Sequence, residues 1–349
     1  MARAYVTGDI DVEGDLTDGL RRAWRSRPGA GMPNSPQSRA VAALHALRLG
    51  ALGLPPKAPA SEARLSGRLH TRRRDRAVIA HHYNLSNDFY RLLLDDHMAY
   101  SSAYFTREDQ SLHDAQTAKL NIICRKLALK PGMQLLDVGC GWGSLILHAA
   151  HRYGVRATGI TLSAQQRDFT VARADERGLS DSVEVRLEDY RDLGNQAQTF
   201  DAIASVEMGE HVGERLYPSY VAILDRALRP GGRLLLQQMS RQADAAPGGG
   251  AFIEAYIGPD MHMRPIWQTL RYLQDAGFEI RSVAAMREHY ARTAEHWMNT
   301  LENHFDEFVA LQGEEVARVW RLYLAGVRLA FEEGRMGVDQ ILAVKPGGR

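Results

Sequence analysis

The sequence is poor in cysteine and contains no long apolar run. Its two cysteines, Cys124 and Cys140, are too few for a disulfide framework and lack the paired spacing of a zinc site. No stretch reaches the roughly 18 apolar residues that a membrane span needs, and the N-terminus lacks the apolar core of a signal peptide. These absences predict a cytoplasmic protein of a reducing compartment.

Histidine offers no metal site either. His81, His82, His211 and His262 do not stand at the spacings at which metal ligands recur, so no metal is inferred. The rest of the composition, 45% hydrophobic and 24% charged, is that of an ordinary globular chain. The length of 349 residues suits one large domain or two modest ones.

The net charge of +1 conceals an uneven distribution. Residues 20–76 carry thirteen Lys and Arg against two acidic residues, about +11, whereas residues 77–349 sum to about −6. Such a cationic segment favours an anionic partner, either a phospholipid surface or nucleic acid, unless it is simply a solvated arm. The run Arg72-Arg73-Arg74 favours lipid headgroups, because no aromatic platform or recognition-helix pattern accompanies it. Residues 1–75 are therefore expected to form a basic N-terminal appendage that contacts a lipid surface or a dimer partner, with no nucleic acid bound.

Apolar runs and helical patterns alternate from about residue 76 onward. Residues 114–129 and 216–228 have the apolar spacing of helices, and short strand-like runs lie between such segments. The alternation predicts an α/β fold, a doubly wound Rossmann-like sheet whose ligands lie at the carboxyl ends of its parallel strands. The predicted strands are 134–138, 156–160, 183–187, 200–205 and 233–239, followed by a final strand at 338–344.

Two segments depart from a minimal fold of this kind. Residues 241–265 run from a Pro-Gly-Gly-Gly sequence into several apolar residues, too many for a plain surface loop. Residues 295–333 carry aromatic and aliphatic residues at helical spacing, for which core packing is the ordinary alternative. We therefore expect the domain of residues 76–349 to carry a helical substrate lid over about 241–333.

The most distinctive local pattern is an apolar strand that ends in a glycine-rich turn. Leu135 to Gly143 reads L-L-D-V-G-C-G-W-G, with a helix predicted to follow. Glycines let a ligand approach the backbone closely, and the N-terminus of the helix presents unpaired N–H groups to it. A dinucleotide site favours G-x-G-x-x-G, whereas the spacing here is G-x-G-x-G. With Asp137 before it, the turn resembles the S-adenosylmethionine (SAM) turn of class I methyltransferases.

Motifs on both sides of this turn follow the order of one family. The chain resembles the cyclopropane-fatty-acyl-phospholipid synthase family, which includes the mycolic acid methyltransferases, over roughly Arg76 to Lys345. The resemblance implies a class I methyltransferase fold, SAM as cofactor and a lipid substrate. The matching segments are His82–Tyr90, Met98–Phe105, Leu136–Gly143, Thr161–Gln166, Asp189–Leu193, Glu210–Gly213 and His289–Tyr290.

The resemblance also assigns the cofactor contacts. Tyr100 and Ser101 match the pair that holds the methionine end, where hydroxyl groups can donate to a carboxylate. The glycine turn approaches the cofactor by its backbone, and the acidic residue that most class I enzymes place at the ribose is absent. The expected cofactor residues are Tyr100 and Ser101 at the methionine end, and Asp137, Gly139 and Gly141 at the glycine turn. Thr161 and Gln166 are expected at the ribose, and Asp189 and Tyr190 at the adenine.

The implied reaction sets strict demands on the pocket. The π electrons of an unactivated alkene attack the sulfonium methyl group, and the resulting carbocation must lose a proton before water captures it. The pocket therefore has to be apolar, dry and supplied with one base. The resemblance implies that this base is a bound bicarbonate ion, held by a cysteine, a glutamate, a histidine and a tyrosine. Cys140, Glu210 and Tyr290 match three of these positions, with Glu207 as a candidate support for Glu210.

The fourth position departs from the family pattern. The strand sequence from Gly232 to Leu236 places Gln237 where histidine is expected. Glutamine forms hydrogen bonds but neither carries a charge nor exchanges protons. Either bicarbonate is held more weakly, or another base removes the proton from a different carbon, or Gln237 simply keeps the hydrogen bond. Direct loss of a proton from the transferred methyl group closes a cyclopropane, whereas loss after a hydride shift gives a methylene branch.

These features lead to one principal interpretation and two alternatives. The chain is expected to be a SAM-dependent C-methyltransferase acting on the double bond of an unsaturated fatty acyl chain, carried by a phospholipid at an anionic membrane surface. One alternative is a pathway-specific enzyme that methylates an alkene of a small natural product. The other is a lipid-binding homologue without catalysis. Because family members usually carry a longer N-terminal domain, a reduced docking surface is also expected.

Overall fold

Strands and helices alternate through the centre of the chain, with further helices on either side. The structure is a computed structural model that describes residues 2–25, 58–63, 67–83, 85–195 and 197–347. The described helices before the first strand are α1 (Ala2–Val6), α2 (Leu16–Arg25), α3 (Arg72–Tyr83), α4 (Asn87–Leu93) and α5 (Leu112–Lys126). The central elements are β1 (Gln134–Val138), α6 (Ser144–Tyr153), β2 (Arg156–Thr161), α7 (Ala164–Glu176), β3 (Val183–Leu187), β4 (Phe200–Val206), α8 (Tyr217–Ala227) and β5 (Leu228–Ser240). The remaining elements are α9 (Ala251–Tyr256), α10 (Ile266–Asp275), β6 (Glu279–Ala285), α11 (Arg287–Asn303), α12 (Phe305–Gln312), α13 (Glu314–Glu332) and β7 (Gly337–Val344).

Within the described part of the chain, seven strands form one sheet in the order β3-β2-β1-β4-β5-β7-β6. The strands β1 to β5 run parallel, with Leu136 of β1 beside Thr158 of β2 and Ile203 of β4. The strand β7 runs antiparallel between β5 and β6. This arrangement confirms the predicted α/β, doubly wound fold, with β7 as the departure from a wholly parallel sheet. The strand order reverses at β1 and β4, and that reversal places a crevice at their carboxyl ends.

Apolar residues cover both faces of the sheet. In β1, Leu135, Leu136 and Val138 are all fully buried, the near-continuous apolar pattern of a parallel strand covered on both sides. Leu135 packs in a cluster with residues of α5 and α6, whereas Leu136 and Val138 pack in a cluster with residues of α8 and α10. Packing on both faces fixes β1 and therefore the glycine turn that follows it.

The predicted lid is divided by a strand of the sheet. The sequence analysis does not predict β6, which pairs with β7 and belongs with α10 to the layers of the central fold. The predicted range 241–333 therefore includes two segments outside the central fold, 241–265 with α9 and 287–332 with α11 to α13, and their role as a lid stays a prediction. Buried aromatic residues, among them Trp297 of α11 and Trp320 of α13, join the second segment to the rest of the fold.

The N-terminal helices dock onto α13. Tyr5, Val6 and Leu16 are buried, and the guanidinium of Arg318 donates to the backbone oxygen of Tyr5 at 2.6 Å and stacks on its ring. The part of the predicted basic appendage from 26 to 57 lies outside the described residues. None of the helices described here is both long and apolar enough to cross a membrane.

Candidate active site

The glycine turn connects β1 to α6 at the carboxyl edge of the sheet. Gly139, Gly141 and Gly143 have φ angles of 81°, 53° and 79°, in the left-handed region that favours glycine. A Cβ atom on Gly139 would lie 2.9 Å from Cγ of Met208, so a side chain does not fit there without displacing Met208. The turn therefore forms a wall of bare backbone at the crevice.

A cavity of about 1260 Å³, continuous with solvent, opens at this turn. Its walls come from the carboxyl ends of β1 to β4 and from α3. This is the position at which doubly wound sheets bind their ligands. All nine residues predicted to contact the cofactor line it: Tyr100, Ser101, Asp137, Gly139, Gly141, Thr161, Gln166, Asp189 and Tyr190.

Two buried polar atoms of this cavity, Oδ1 of Asp137 and Nε2 of Gln166, have no hydrogen-bond partner among the described residues. The hydroxyl of Thr161 donates to Oε1 of Gln166 at 2.9 Å, which fixes the amide with its nitrogen unpaired. Burial raises the pKa of Asp137 to about 7, and Lys119 acts in the opposite direction. Because unpaired buried groups are costly, they indicate a polar ligand. The ribose and amino acid groups of SAM carry the donors and acceptors that fit these two atoms.

A buried lysine that the sequence analysis does not identify also lines this cavity. Nζ of Lys119, in α5, donates to Oγ of Ser101 at 2.8 Å, and the lysine is 1% exposed. Burial lowers the pKa of Lys119 to about 8, while three nearby carboxylates act in the opposite direction. It therefore supplies positive charge beside the predicted site of the cofactor carboxylate. A lysine in the buried stripe of α5 between Ala115 and Ile123 is the sequence signal that identifies it.

An arginine holds Asp189, the predicted partner of the adenine amino group. Nε and Nη2 of Arg191 donate to the two carboxylate oxygens of Asp189 at 2.7 and 2.5 Å, and Nη2 also donates to Asp75 of α3 at 2.8 Å. The hydrogen bonds to Asp189 raise the pKa of Arg191. Each carboxylate oxygen has more than one lone pair, so Asp189 can still accept from an amine. Tyr190 lies nearby, edge-on to Tyr220 with ring centroids 5.1 Å apart.

Ion pairs attach α3 across the cofactor cavity. Arg72 pairs with Asp192 at 2.7 Å and Arg74 with Asp260 at 2.5 Å. Two arginines of the predicted headgroup-binding run therefore bind carboxylates of this same chain. The third, Arg73, is exposed.

A second, mainly apolar cavity of about 690 Å³ adjoins the first. The two cavities share Tyr100, Glu207 and His211. Both segments of the predicted lid contribute to the second cavity, as expected of a site for an apolar substrate. Its other lining residues are Met239, Arg241, Gly249, Ile253, Ile257, Met261, Met263, Tyr290, Tyr323, Val327, Phe331 and Met336.

Glu207 lies where the two cavities meet. Its φ angle of 52° is unusual for a residue with a side chain and marks a strained position just after β4. Oε1 accepts from the backbone nitrogen of Ser102 at 2.8 Å and from Nε2 of Gln237 at 3.0 Å, and Oε2 accepts from the hydroxyl of Tyr290 at 2.8 Å. Burial raises the pKa of Glu207 although these three donors act in the opposite direction. A carboxylate with a raised pKa between two cavities is suited to accept a proton.

Two of the four predicted catalytic residues contact Glu207, and both are themselves fixed. Oε1 of Gln237 accepts from Nε2 of Gln340 at 3.1 Å, which orients the amide. The ring of Tyr290 stacks on Phe331 with centroids 4.3 Å apart. The carboxylate is therefore held by side chains that have little freedom to move.

The other two predicted catalytic residues lie apart from this group. One oxygen of Glu210 accepts from the backbone nitrogen of Met239, the other is buried without a hydrogen-bond partner in the described part of the chain, and Glu210 lines neither cavity. Cys140 lines the cofactor cavity, but its Sγ packs against β2, where a Cβ atom on Gly159 would lie 2.7 Å from it. The proximity of Glu207, rather than Glu210, to Tyr290 depends on the backbone turn after β4, for which the sequence gives no signal.

The sheet order, the glycine turn and the lined cavity define a class I SAM-dependent methyltransferase. A solved structure of the mycolic acid cyclopropane synthase CmaA1, complexed with SAH and CTAB, matches this fold with a TM-score of 0.72 and 32% identity, covering 77% of this chain and 98% of that one. Residues 70–341 match the family described as mycolic acid cyclopropane synthetase. The chain belongs to this family, as the sequence motifs predict.

Two curated relatives have names that refer to fatty acids. A "Probable fatty acid methyltransferase" of Pseudomonas putida is 42% identical over 283 residues, which cover 80% of this chain and 72% of that protein. A protein with the same description from Mycobacterium tuberculosis is 37% identical over 360 residues, covering 99% of this chain and 82% of that protein. The similarity therefore extends over nearly the whole chain.

Proposed function

We propose that the protein is a SAM-dependent C-methyltransferase that acts on the double bond of an unsaturated fatty acyl chain esterified in a phospholipid. One observation carries the proposal: the cofactor cavity and the apolar cavity share Tyr100, Glu207 and His211. A methyl donor in the first and an alkene in the second would meet beside the carboxylate of Glu207. The names of the two fatty acid methyltransferases support an acyl chain as the substrate.

The lining of the apolar cavity meets the demands of this chemistry. When bound, SAM supplies an electrophilic methyl group to one alkene carbon, which leaves a positive charge on the neighbouring carbon. Aliphatic and thioether side chains exclude the water that would capture this charge. The rings of Tyr100, Tyr290 and Phe331 also line the cavity, and aromatic faces stabilise a cation.

Glu207 is the residue that we assign to proton removal. A proton passes from the transferred methyl group to a carboxylate oxygen of Glu207, and the electron pair of the broken C–H bond neutralises the cation. Direct transfer closes a cyclopropane ring. If a hydride first shifts to the cationic carbon, loss of the methyl proton leaves a methylene branch (C=CH₂) on the chain instead. Tyr290 and Gln237 hold the carboxylate in place for either outcome.

The residues present do not fit a bound bicarbonate ion. Donors of Gln237 and Tyr290 that would hold such an ion bind the carboxylate of Glu207, and the same Gln237 nitrogen also approaches the backbone oxygen of Ser102 at 3.5 Å. A second anion beside this buried carboxylate would be disfavoured by like-charge repulsion. Glu207 therefore takes the role that the family resemblance gives to bicarbonate.

We also propose that the enzyme works at an anionic membrane surface. Since Arg72 and Arg74 bind carboxylates of the chain itself, other exposed arginines supply the charge. Each basic residue near an anionic surface contributes about 1 kcal/mol. Exposed arginines in the described part of the basic segment include Arg22 and Arg25 of α2, and Arg68, Arg73 and Arg76 around α3.

Mass spectrometry of the fatty acids from a host that expresses the protein tests the proposal. Unsaturated chains of the phospholipid fraction should gain the mass of one CH₂ group, and fragmentation should locate the new carbon at the former double bond. The control is a host that expresses the Gly139→Val variant, in which the side chain should distort the glycine turn and prevent SAM binding. Unchanged acyl chains, together with purified protein that binds SAM, would show that the substrate is wrong and favour a small natural-product alkene.

A further inference from the structure

A charged side chain lines the apolar cavity away from its junction with the cofactor cavity. Arg241 directly follows β5, and its Nη1 donates to the backbone oxygen of Ala246 at 2.7 Å. Its Nε is buried and has no hydrogen-bond partner among the residues described. An unpaired buried donor is costly, so it indicates a ligand that accepts a hydrogen bond at this point.

A second arginine, Arg335, is close enough to act on the charge of Arg241. The strands β5 and β7 pair up to this end, which brings Arg241 next to the residues that precede β7. Burial and the like charge of Arg335 both lower the pKa of Arg241. Arg335 itself pairs with Glu333 at 2.9 Å and lies over the ring of Trp24, 4.3 Å from its centroid. The like charge of Arg335 and the partial burial of Arg241 both favour an oxyanion bound to Arg241.

The direction of β5 sets the distance from this pair to the reaction site. Every second residue of a strand faces the same side, so Gln237, Met239 and Arg241 share one face of the extended chain. Gln237 contacts Glu207, and the other two line the apolar cavity. Four residues of a strand span about 13 Å at about 3.3 Å per residue. An oxyanion at Arg241 thus lies far enough from Glu207 to suit an alkene in the middle of an acyl chain.

The Arg241 end of the cavity also reaches the protein surface. Residues 242–247 are exposed, and α2 nearby exposes Arg22 and Arg25. Trp24, which contacts Arg335, is a residue type that favours the interface between lipid and water. A lipid headgroup can therefore remain at the surface while its chain extends inward.

We propose that Arg241 binds the phosphodiester of the acyl phospholipid and so selects which carbons of the chain reach Glu207. This inference rests on the proposed function, because it takes the occupant of the apolar cavity to be an acyl chain. A phosphodiester is favoured over the carboxylate of a free fatty acid because the site lies beside the basic, Trp-bearing face of α2. A free fatty acid would need no such surface.

Three substrates with the same oleoyl chain test this assignment: vesicles of dioleoylphosphatidylglycerol, and dioleoylglycerol or oleate in neutral detergent. Arg241→Gln should raise KM for the phospholipid by about tenfold to a hundredfold, the loss of one charged hydrogen-bonding group, with little change for dioleoylglycerol. Arg241→Lys should restore part of the affinity. Arg271→Gln, at an exposed arginine of α10, is the matched control and should leave KM unchanged for both the phospholipid and dioleoylglycerol.

A measurement without turnover separates this inference from the proposed function. Phosphatidylglycerol with brominated acyl chains should quench the tryptophan fluorescence of the parent protein more strongly than that of Arg241→Gln. If lipid binding depends on Arg241 but no lipid receives a methyl group, the proposed function would be rejected and the assignment of Arg241 to the phosphodiester would stand. Equal losses on phospholipid and dioleoylglycerol, or a loss confined to oleate, would overturn the phosphodiester assignment.

Discussion

The hydroxyl of Tyr290 donates a hydrogen bond of 2.8 Å to Oε2 of Glu207, across 83 positions of the chain. Tyr290 belongs to α11, in the second segment of the predicted lid, whereas Glu207 follows β4 of the sheet itself. The contact therefore joins the proposed base to the second segment of the predicted lid. Because Glu207 and Tyr290 both line the apolar cavity, the proposed proton acceptor lies where the lining keeps water away from a carbocation.

Exchange of the carboxylate for an amide at Glu207 tests this role. Glu207→Gln keeps the shape of the side chain but removes the proton acceptor, and we expect turnover to fall by about 10²–10⁴-fold with SAM affinity unchanged. Glu210→Gln is the matched variant, because Glu210 is also buried but lines neither cavity. Its loss of turnover should be far smaller. Steady-state kinetics and calorimetric titration with SAM make the comparison, and the reverse order of losses would return the role of base to Glu210.

Glu210 should instead affect the pH dependence of stability. Burial and the nearby Glu207 raise its pKa from 4.5 to about 8. The folded protein therefore binds more protons than the unfolded chain between these pH values, so the free energy of unfolding falls as pH rises from about 4.5 to 8. Glu210→Gln removes this contribution and should flatten the curve in that range. Urea unfolding at a series of pH values measures the effect, and an unchanged slope would contradict the raised pKa.

The ion pair between Arg74 and Asp260 predicts a role for α3 in cofactor binding. The two side chains are only 14% and 10% exposed, and Asp260 lines the cofactor cavity. Arg74→Gln should release this end of α3 and weaken SAM binding by about tenfold, the effect of one charged hydrogen bond. Arg73→Gln changes the exposed neighbour and should leave SAM affinity unchanged. If Arg73→Gln weakens SAM binding equally, general charge rather than the ion pair would explain the effect.

The sequence predicts six of the seven described strands and misses β6. The bounds of β1 and β3 agree with the prediction because each strand is a short β-type run between clear turns. The strand β6 is not predicted because its residues alternate between half-buried and exposed and form no apolar run. Its place in the sheet depends on pairing with β7, a long-range contact that local periodicity does not contain.

The same limit applies to the site. The nine residues predicted to contact the cofactor all line one cavity, because most of the motif positions lie at strand ends that a parallel sheet brings together. Glu207 and Glu210 stand three positions apart, and the family motif includes only Glu210. Our proposal of Glu207 as the base rests on its position between the two cavities and on its contact with Tyr290, and both depend on the folded chain.

A side chain at Gly139 should abolish cofactor binding. Gly139→Val forces a β-branched residue into a φ of 81° and a Cβ contact of 2.9 Å with Met208, so the turn has to move out of its cofactor-binding shape. Gly326→Ala, in α13, is the control because a Cβ there would meet no atom within 4 Å and alanine is a better helix former. Calorimetry should show no SAM binding for the first and normal binding for the second. Full SAM affinity in Gly139→Val would reject the cofactor assignment.

The product depends on how soon Glu207 takes the proton. Burial raises the pKa of Glu207, but three hydrogen bonds, including that from Gln237, act against this rise and occupy lone pairs of the carboxylate, and Gln237 itself exchanges no proton. A hydride shift to the more substituted cation then precedes proton loss. We therefore expect the parent enzyme to form methylene-branched chains from an oleoyl phospholipid. Gln237→His would place a second proton acceptor against the carboxylate of Glu207 and should shift the product toward cyclopropane.

Mass alone does not separate these products, because the methylene-branched chain and its cyclopropane isomer have the same formula. Mild hydrogenation separates them, since the alkene of a methylene branch takes up hydrogen far more readily than a cyclopropane ring opens. Proton NMR identifies the ring independently by its own resonances. Cyclopropane resonances alone in the parent product, with Gln237→His forming the same product at the same rate, would contradict the prediction. Gln237 would then act only as a hydrogen-bond donor that positions Glu207, and direct proton transfer from the methyl group would be faster than the hydride shift.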